Sequence, residues 1–295
     1  MRSLLVRVKS RMFVRANRRV LGALDGQYVS LSRGRSMDFD DLRAYVSGDE
    51  VKDIDWKATA RFGSPLVRNY SANRQHELVL LVDTGLTMAA RSASGEPKSE
   101  LAILAAGIIG YLAIRHGDRV SLAHGDEEGI HRMPSVGTEG ELERLLRRID
   151  SSITPTGPKS DLVGLVTDAL RVIRRRSIVV VIADDTPMTP ELEDAARRLN
   201  ARHELLWCTI GDADLVRGLG QKAALIDIAD DWDIPAFVFG DQRLQSEFDA
   251  AEAAVVAHRA DALEGLRISH TRVESGAGVV TALLAMLGRR ARARR

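Results

Sequence analysis

From about residue 75 onward, short apolar runs alternate with longer segments of helical character. Several of these runs are continuous and short, as expected of strands that are buried on both faces. The predicted strands are 78–82, 119–123, 178–183, 204–210 and 267–273, with weaker signals around Ile130 and at 224–228. The predicted helices are 97–115, 139–149, 160–174, 190–200, 244–266 and 278–287. This alternation predicts an α/β fold with a doubly wound, mostly parallel sheet.

The residues before this point follow a different pattern. Turn signals and short apolar pieces dominate, and no helical periodicity is expected beyond the first 25 residues. We therefore predict a smaller, irregular, β-rich N-terminal domain beside the α/β domain. The predicted boundaries are a basic arm at 1–20, the N-terminal domain at 21–76, the α/β domain at 77–288 and an arginine-rich tail at 289–295.

The formal net charge of +1 conceals a strong asymmetry. Segments 1–20 and 289–295 hold twelve of the 42 basic residues and none of the 41 acidic ones, so residues 21–288 carry a net charge of −11. A general nucleic-acid binder is more often basic throughout or along one face, so we predict no specific nucleic-acid partner. The basic N-terminus has two alternatives: an amphipathic helix in peripheral contact with an anionic membrane, or an arm lying on the acidic body.

The apolar runs are too short for a membrane protein. The longest, 101–114, falls short of the ~20 residues that span a bilayer, and it predicts a buried helix. Arg and Lys interrupt the apolar residues of the N-terminus, so no signal peptide is expected. These features predict a cytoplasmic protein. The single cysteine, Cys208, excludes an internal disulfide and a cysteine-cluster zinc site.

Two predicted strands end in aspartate, Asp83 and Asp184, at the sheet edge where ligands of such folds bind. The loop after the first strand, residues 83–87, reads DTGLT. This loop resembles the von Willebrand factor A-type domain, whose Asp-x-Ser-x-Ser loop binds a divalent cation together with a Thr from a second loop and an Asp after a later strand. The resemblance implies metal ligands at Asp83, Thr87, Ser160 and Asp184.

Hard oxygen ligands of this kind suit Mg²⁺, which usually retains several waters. Gly85 stands where the pattern has its first serine, so the implied site is a degenerate metal-ion-dependent adhesion site. An alternative without a metal remains for each position. Gly85 and Thr87 then belong to an ordinary strand-to-helix turn, Ser160 is a helix N-cap, and Asp184 caps nearby backbone.

A second group of motifs lies upstream, in the stretch 31–75. Its most specific parts read SMDFDDLR, SGDE and DIDW, and Ala60-Arg61 follows. These motifs resemble the bacterial "domain of unknown function fifty-eight" family. Later pieces agree with this resemblance, namely GDRVSL at 117–122, SDL at 160–162 and the strand IVVVIADD, so the resemblance covers about 15–290.

Within the upstream stretch, Asp53 and Asp55 stand beside Trp56 and near Arg61. One interpretation is structural: a buried carboxylate pair is held by the arginine, and Trp56 covers the sheet. The other is functional: the four residues form a recognition surface for a partner protein. Asp185, at the sheet edge, is a further candidate for partner binding.

The family resemblance implies a non-enzymatic protein-interaction module. The resemblance further implies an adaptor that works with a MoxR-type AAA+ ATPase and an unknown client protein. The chain contains no phosphate-binding P-loop and no G-x-S-x-G nucleophile elbow. One alternative remains open, a Mg²⁺-dependent hydrolase that uses Asp83, Asp184 and Asp185.

Overall fold

The structure is a computed structural model that describes residues 3–15, 18–33, 41–69, 75–213, 226–227, 232–233 and 242–293. Its strands are β1 (Asp41–Ala44), β2 (Leu66–Asn69), β3 (Glu77–Asp83), β4 (Arg119–Asp126), β5 (Gly129–Val136), β6 (Ile178–Asp184), β7 (Glu204–Ile210), β8 (Ile226–Asp227), β9 (Trp232–Asp233) and β10 (Ser269–Val273). Its helices are α1 (Leu4–Arg15), α2 (Arg18–Arg33), α3 (Trp56–Phe62), α4 (Lys98–Arg115), α5 (Glu139–Ser152), α6 (Leu162–Val172), α7 (Pro190–Arg202), α8 (Gln242–Gly265) and α9 (Val279–Ala293). Every strand and helix predicted between 78 and 210 is present, with ends that differ by at most three residues.

The main sheet has six strands in the order β5, β4, β3, β6, β7, β10. All neighbours run parallel except β5, which pairs antiparallel with β4 at one side of the sheet. The order proceeds outward from β3 in both directions, as in doubly wound sheets. The predicted fold class is therefore confirmed. The carboxyl ends of the parallel strands, including those of β3 and β6, form one edge of the sheet, which we name the carboxyl edge.

Both faces of the sheet are covered by helices. Leu78, Leu80 and Val82 of β3 belong to the core that contains α1, α4, α5 and α9, while Val79 and Leu81 belong to the core that contains α6 and α7. Because residues of both faces are buried, β3 is a continuous apolar run.

Helix α4 is buried at every position from 101 to 113, which confirms the prediction of a buried helix there. Its glycines allow neighbouring helices to approach closely. A Cβ atom on Gly110 would lie 2.8 Å from Cδ1 of Leu142 in α5. Across the described ranges, no helix combines the length and apolar character that crossing a bilayer requires.

Helix α1 packs against α4 and α5. Leu5 and Val8 are buried, and a Cβ atom on Gly107 of α4 would lie 2.6 Å from Cγ2 of Val8. The backbone N–H of Leu5 donates a hydrogen bond of 2.7 Å to Glu143 of α5. The basic arm therefore contains a helix that lies on the body of the protein, and peripheral membrane contact stays a prediction.

We expect Val8→Asp to lower the free energy of unfolding by about 3 kcal/mol or more, because it places an unpaired carboxylate in the core. Val6→Asp is the matched control, since Val6 is 64% exposed on the same helix, and it should change stability by less than about 0.5 kcal/mol. Urea denaturation of both variants measures the difference. Equal effects in the two variants would show that α1 does not pack on the core.

Helix α2 corrects one expectation. It continues to residue 33, although helical periodicity was expected to end by residue 25. The physical reason is burial on one side, since Leu24 and Tyr28, one turn apart, are both buried. The Tyr28 hydroxyl also donates a hydrogen bond of 2.8 Å to Asp118.

Residues 41–69 form a small unit, which we name the N-terminal unit. Its strands β1 and β2 pair antiparallel, with Ala44 opposite Leu66, and α3 lies between them in sequence. Arg43 binds Asp49 through two hydrogen bonds of 2.7 and 2.6 Å, which fixes the turn that follows β1. The predicted small, irregular, β-rich region is confirmed. Residues 34–40, which include part of the SMDFDDLR motif, lie outside the described residues.

The weak strand signal at 224–228 is confirmed only in part. Residues 226–227 form β8, which pairs antiparallel with β9, outside the main sheet. The rest of that segment lies outside the described residues.

Candidate functional site

The carboxyl edge is built around Asp83, the last residue of β3, which is 1% exposed. Its Oδ1 accepts a hydrogen bond of 2.9 Å from the backbone N–H of Gly85, and its Oδ2 is buried with no hydrogen-bond partner among the described residues. Burial raises the pKa of Asp83 to about 6, although the hydrogen bond from Gly85 and the nearby Ser160 hydroxyl act in the opposite direction. Asp83 Oδ2 is therefore a buried acceptor that no described donor satisfies.

Ser160 fills the space that the missing serine side chain would take. A Cβ atom on Gly85 would lie 2.4 Å from both Cα and Oγ of Ser160. Ser160 Oγ lies 3.0 Å from Oγ1 of Thr87, so the two hydroxyls bond to each other. The structure therefore brings together three of the predicted ligands, Asp83, Thr87 and Ser160.

The loop that carries Ser160 is held from two sides. The backbone N–H of Leu86 donates to Pro158 O at 2.7 Å. Glu127, after β4, accepts from the backbone N–H of Lys159 at 2.9 Å, and its own N–H donates to Lys159 O at 2.9 Å. The predicted helix at 160–174 begins only at Leu162, because Asp161, rather than Ser160, is its N-cap.

The fourth predicted ligand, Asp184 at the end of β6, is bound by a lysine that sequence reasoning missed. Lys98, the first residue of α4, is fully buried, and its Nζ donates to Asp184 Oδ1 at 2.5 Å. The same Nζ forms an ion pair with Asp212, two residues after β7. Burial lowers the pKa of Lys98, but the charges of Asp184 and Asp212 outweigh it and raise the pKa above its usual value. A charged ammonium is therefore paired with Asp184.

The side chain of Asp185 is 7% exposed at the edge and is engaged by internal partners. Arg272 of β10 lies 2.6 Å from its Oδ2, and Arg259 of α8 binds its Oδ1. Arg259 also donates to Thr186 O through two nitrogens, at 3.0 and 2.7 Å. Burial favours the neutral form of Asp185, but the bonds from Arg272 and the charge of Arg259 hold its pKa below its usual value. Partner binding by Asp185 stays a prediction.

The described residues do not fit the four-ligand metal site that the resemblance implies. Mg²⁺ requires several hard oxygen ligands with free lone pairs. Asp184 Oδ1 already accepts from Lys98 and from the N–H of Asp185, and Gly85 supplies no side chain. Magnesium binding by the remaining three residues stays a prediction.

The same contacts bear on the hydrolase alternative, which needs three carboxylates to hold a metal ion. Asp184 is paired with Lys98, and Asp185 is paired with two arginines. Among the described residues, Asp83 has no hydrogen-bond partner at its buried Oδ2. This arrangement gives the hydrolase alternative no support.

The upstream candidates lie in the N-terminal unit. Asp55 is the N-cap of α3 and accepts from the backbone N–H groups of Lys57 and Ala58 at 3.1 and 3.0 Å. Trp56, the next residue, is 64% exposed. The interpretation in which Trp56 covers the sheet is therefore wrong, because the cap at Asp55 starts a helix whose first side chain points to solvent. Asp53 is half-buried, and Arg61 is exposed.

Trp56 belongs to a concentration of exposed apolar side chains. Five of the nine exposed large hydrophobic residues of the described chain lie between positions 45 and 62. We name these five the apolar surface: Tyr45 at 39% exposure, Val46 at 61%, Val51 at 63%, Trp56 at 64% and Phe62 at 73%. Exposed apolar side chains mark interaction sites when they form a contiguous patch, and these five belong to one unit of the fold.

Two solved structures have a similar fold. An aerotolerance-related membrane protein of Bacteroides fragilis has 12% sequence identity and a TM-score of 0.45, over 72% of this chain and 98% of that protein. A von Willebrand factor type A protein of Catenulispora acidiphila has 12% identity and a TM-score of 0.40, over 75% of this chain and 43% of that protein. These similarities concern the fold alone.

Two curated relatives have no assigned activity. An uncharacterized protein of Mycobacterium tuberculosis H37Rv is 29% identical over 247 residues, which cover 83% of this chain and 76% of the relative. An uncharacterized protein of Mycobacterium bovis matches to the same extent. The family model described as "Protein of unknown function DUF58" matches residues 41–257, more than half of the chain. The chain therefore belongs to the DUF58 family.

Proposed function

We propose that this chain is a non-catalytic protein-interaction module and that its partner docks on the apolar surface of the N-terminal unit. The observation that carries the proposal is the exposure of Trp56 and Phe62, at 64% and 73%, within one unit of 29 residues. Large aromatic side chains supply most of the binding energy of protein interfaces when a partner buries them. Leaving both in water has no benefit for the isolated chain.

The charged residues of the same unit suit the rim of such an interface. Lys57 and Arg61 are exposed on α3, and Asp53 lies just before it. Rim charges contribute to association rate and partner choice more than to affinity. The four residues predicted upstream thus have three different roles. Trp56 is an aromatic anchor, Asp55 is a helix cap, and Asp53 and Arg61 are rim charges.

For the partner we propose a MoxR-type AAA+ ATPase, with the chain as an adaptor that presents a client protein. The support is the family resemblance, which implies this pairing. The degenerate adhesion site offers a second docking position, around Thr87 and Ser160. The apolar surface is favoured because Asp83 and Asp184 are both buried, at 1% and 6% exposure.

The test is a binding titration of the full chain with a MoxR-type AAA+ ATPase. We expect Trp56→Ala with Phe62→Ala to weaken binding by roughly 100-fold or more, since two anchors are lost. Phe13→Ala is the matched control, because Phe13 is 56% exposed on α1, outside the N-terminal unit, and it should leave the affinity unchanged.

A second pair of variants separates the two docking positions. Thr87→Val with Ser160→Ala removes both edge hydroxyls with little change in volume, and we expect it to leave binding within about twofold. Ser135→Ala, which removes a half-buried hydroxyl on β5, is its control. Loss of binding in the edge variant, with normal binding by the Trp56 and Phe62 variant, would assign docking to the carboxyl edge instead.

A further inference from the structure

The end of β6 already holds a cation that belongs to the chain. Lys98 is 0% exposed, and its ammonium contacts two carboxylates, Asp184 at 2.5 Å and Asp212. A buried ammonium is strongly unfavourable unless it is paired and hydrogen-bonded. The two carboxylates supply this pairing from strand ends that lie side by side, since β6 pairs with β7.

The position of Lys98 is fixed by the backbone around it. Its N–H donates to Ala90 O at 3.0 Å, and the preceding Pro97 forms a bridge with Arg91. The first turn of α4 is therefore tied to the loop that follows Thr87. This places the ammonium at the carboxyl edge, where the resemblance to the von Willebrand factor A-type domain implies a divalent cation.

Its acceptors are also held in place. Asp184 Oδ1 accepts from the N–H of Asp185 at 2.7 Å, and the N–H of Asp212 donates to Asp185 Oδ2 at 3.1 Å. Asp185 in turn is bound by Arg259 and Arg272. The ends of β6 and β7 thus carry one connected ionic cluster in which each of the three carboxylates has a basic partner.

We propose that the Lys98 ammonium is the resident cation of the carboxyl edge and that it excludes a divalent metal ion from Asp184. A metal ion bound to Asp184 would have to share that carboxylate with a buried positive charge, and the two cations would repel each other in a medium that screens poorly. The edge is therefore assembled without a divalent ion. This inference is independent of the proposed docking surface, because it involves no partner.

The experiment is a Mn²⁺ titration of the full chain, followed by electron paramagnetic resonance of the free ion. The wild-type chain should show no binding at micromolar Mn²⁺. Lys98→Ala leaves Asp184 and Asp212 without the ammonium, and it should bind Mn²⁺ at least tenfold more tightly than the wild type. Lys159→Ala removes an exposed lysine from the loop that carries Ser160, and it should behave as the wild type.

Thermal unfolding gives a second measurement. The melting temperature of Lys98→Ala should fall below that of the wild type and rise again with added Mn²⁺, whereas that of the wild type should not respond. Micromolar Mn²⁺ binding by the wild type that is lost in Asp184→Asn would overturn the inference, and so would a folded Lys98→Ala chain that binds no Mn²⁺. If Lys98→Ala does not fold, the wild-type titration with its Asp184→Asn comparison still decides.

Discussion

Asp185→Asn is expected to lower the free energy of unfolding by about 3–5 kcal/mol, the effect of removing one partner from a buried ion pair. The substitution keeps the size of the side chain and removes its charge. Arg259, which is 4% exposed, would then remain buried without its carboxylate. Chemical denaturation measures the loss.

The control for this prediction is Asp194→Asn. Asp194 forms ion pairs with Arg197 and Arg198 on α7, but its side chain is 55% exposed, so the loss should be below about 1 kcal/mol. The difference between wild type and Asp185→Asn should also depend on pH. Because pairing lowers the pKa of Asp185 in the folded state, the stabilisation is present above pH 3.8 and is lost as the pH falls through the folded-state value. A stable Asp185→Asn chain with impaired partner binding would instead identify Asp185 as a partner contact.

Gly85→Ser, which restores the serine of the adhesion-site pattern, is expected to destabilise the fold by about 3 kcal/mol. The added Cβ would lie 2.4 Å from Cα and 2.5 Å from N of Ser160. Both are backbone atoms in a loop that is fastened through Leu86 and Glu127, so the clash cannot be relieved by rotating a side chain.

Two variants sharpen this prediction, again by chemical denaturation. Ser160→Gly combined with Gly85→Ser should remain destabilised, because the clash with the Ser160 backbone persists. Gly140→Ser, at a helical glycine with open space around it, should change stability by less than about 0.5 kcal/mol. A Gly85→Ser chain as stable as the wild type would mean that the Ser160 loop does not lie against Gly85.

The sheet could be predicted from sequence because its evidence is local. Buried parallel strands such as β3 and β6 are continuous apolar runs, and the aspartates that end them identified the carboxyl edge. The adhesion-site pattern relates residues of two different loops. It therefore predicted that Asp83, Thr87 and Ser160 lie close together. The spacing of apolar residues also located α4 and α5 to within three residues.

The ionic cluster could not be predicted, because its partners are far apart in sequence. Lys98 is 86 residues from Asp184, and Arg259 and Arg272 are 74 and 87 residues from Asp185. A lysine is almost never buried unless it is paired. Because the carboxylates that pair with Lys98 are distant in sequence, the residues next to Lys98 do not show that it is buried. Trp56 was misjudged for a different reason, since the interpretation treated Asp55 as half of a carboxylate pair instead of a helix cap.

In the proposed function, a partner docks on the apolar surface of the N-terminal unit. Hydrogen–deuterium exchange of the full chain, with and without the MoxR-type ATPase, tests it most directly. We expect slower exchange in residues 45–62 on binding, with no change in residues 84–89 and 154–160 at the carboxyl edge. Slower exchange at the carboxyl edge with none in residues 45–62 would contradict it.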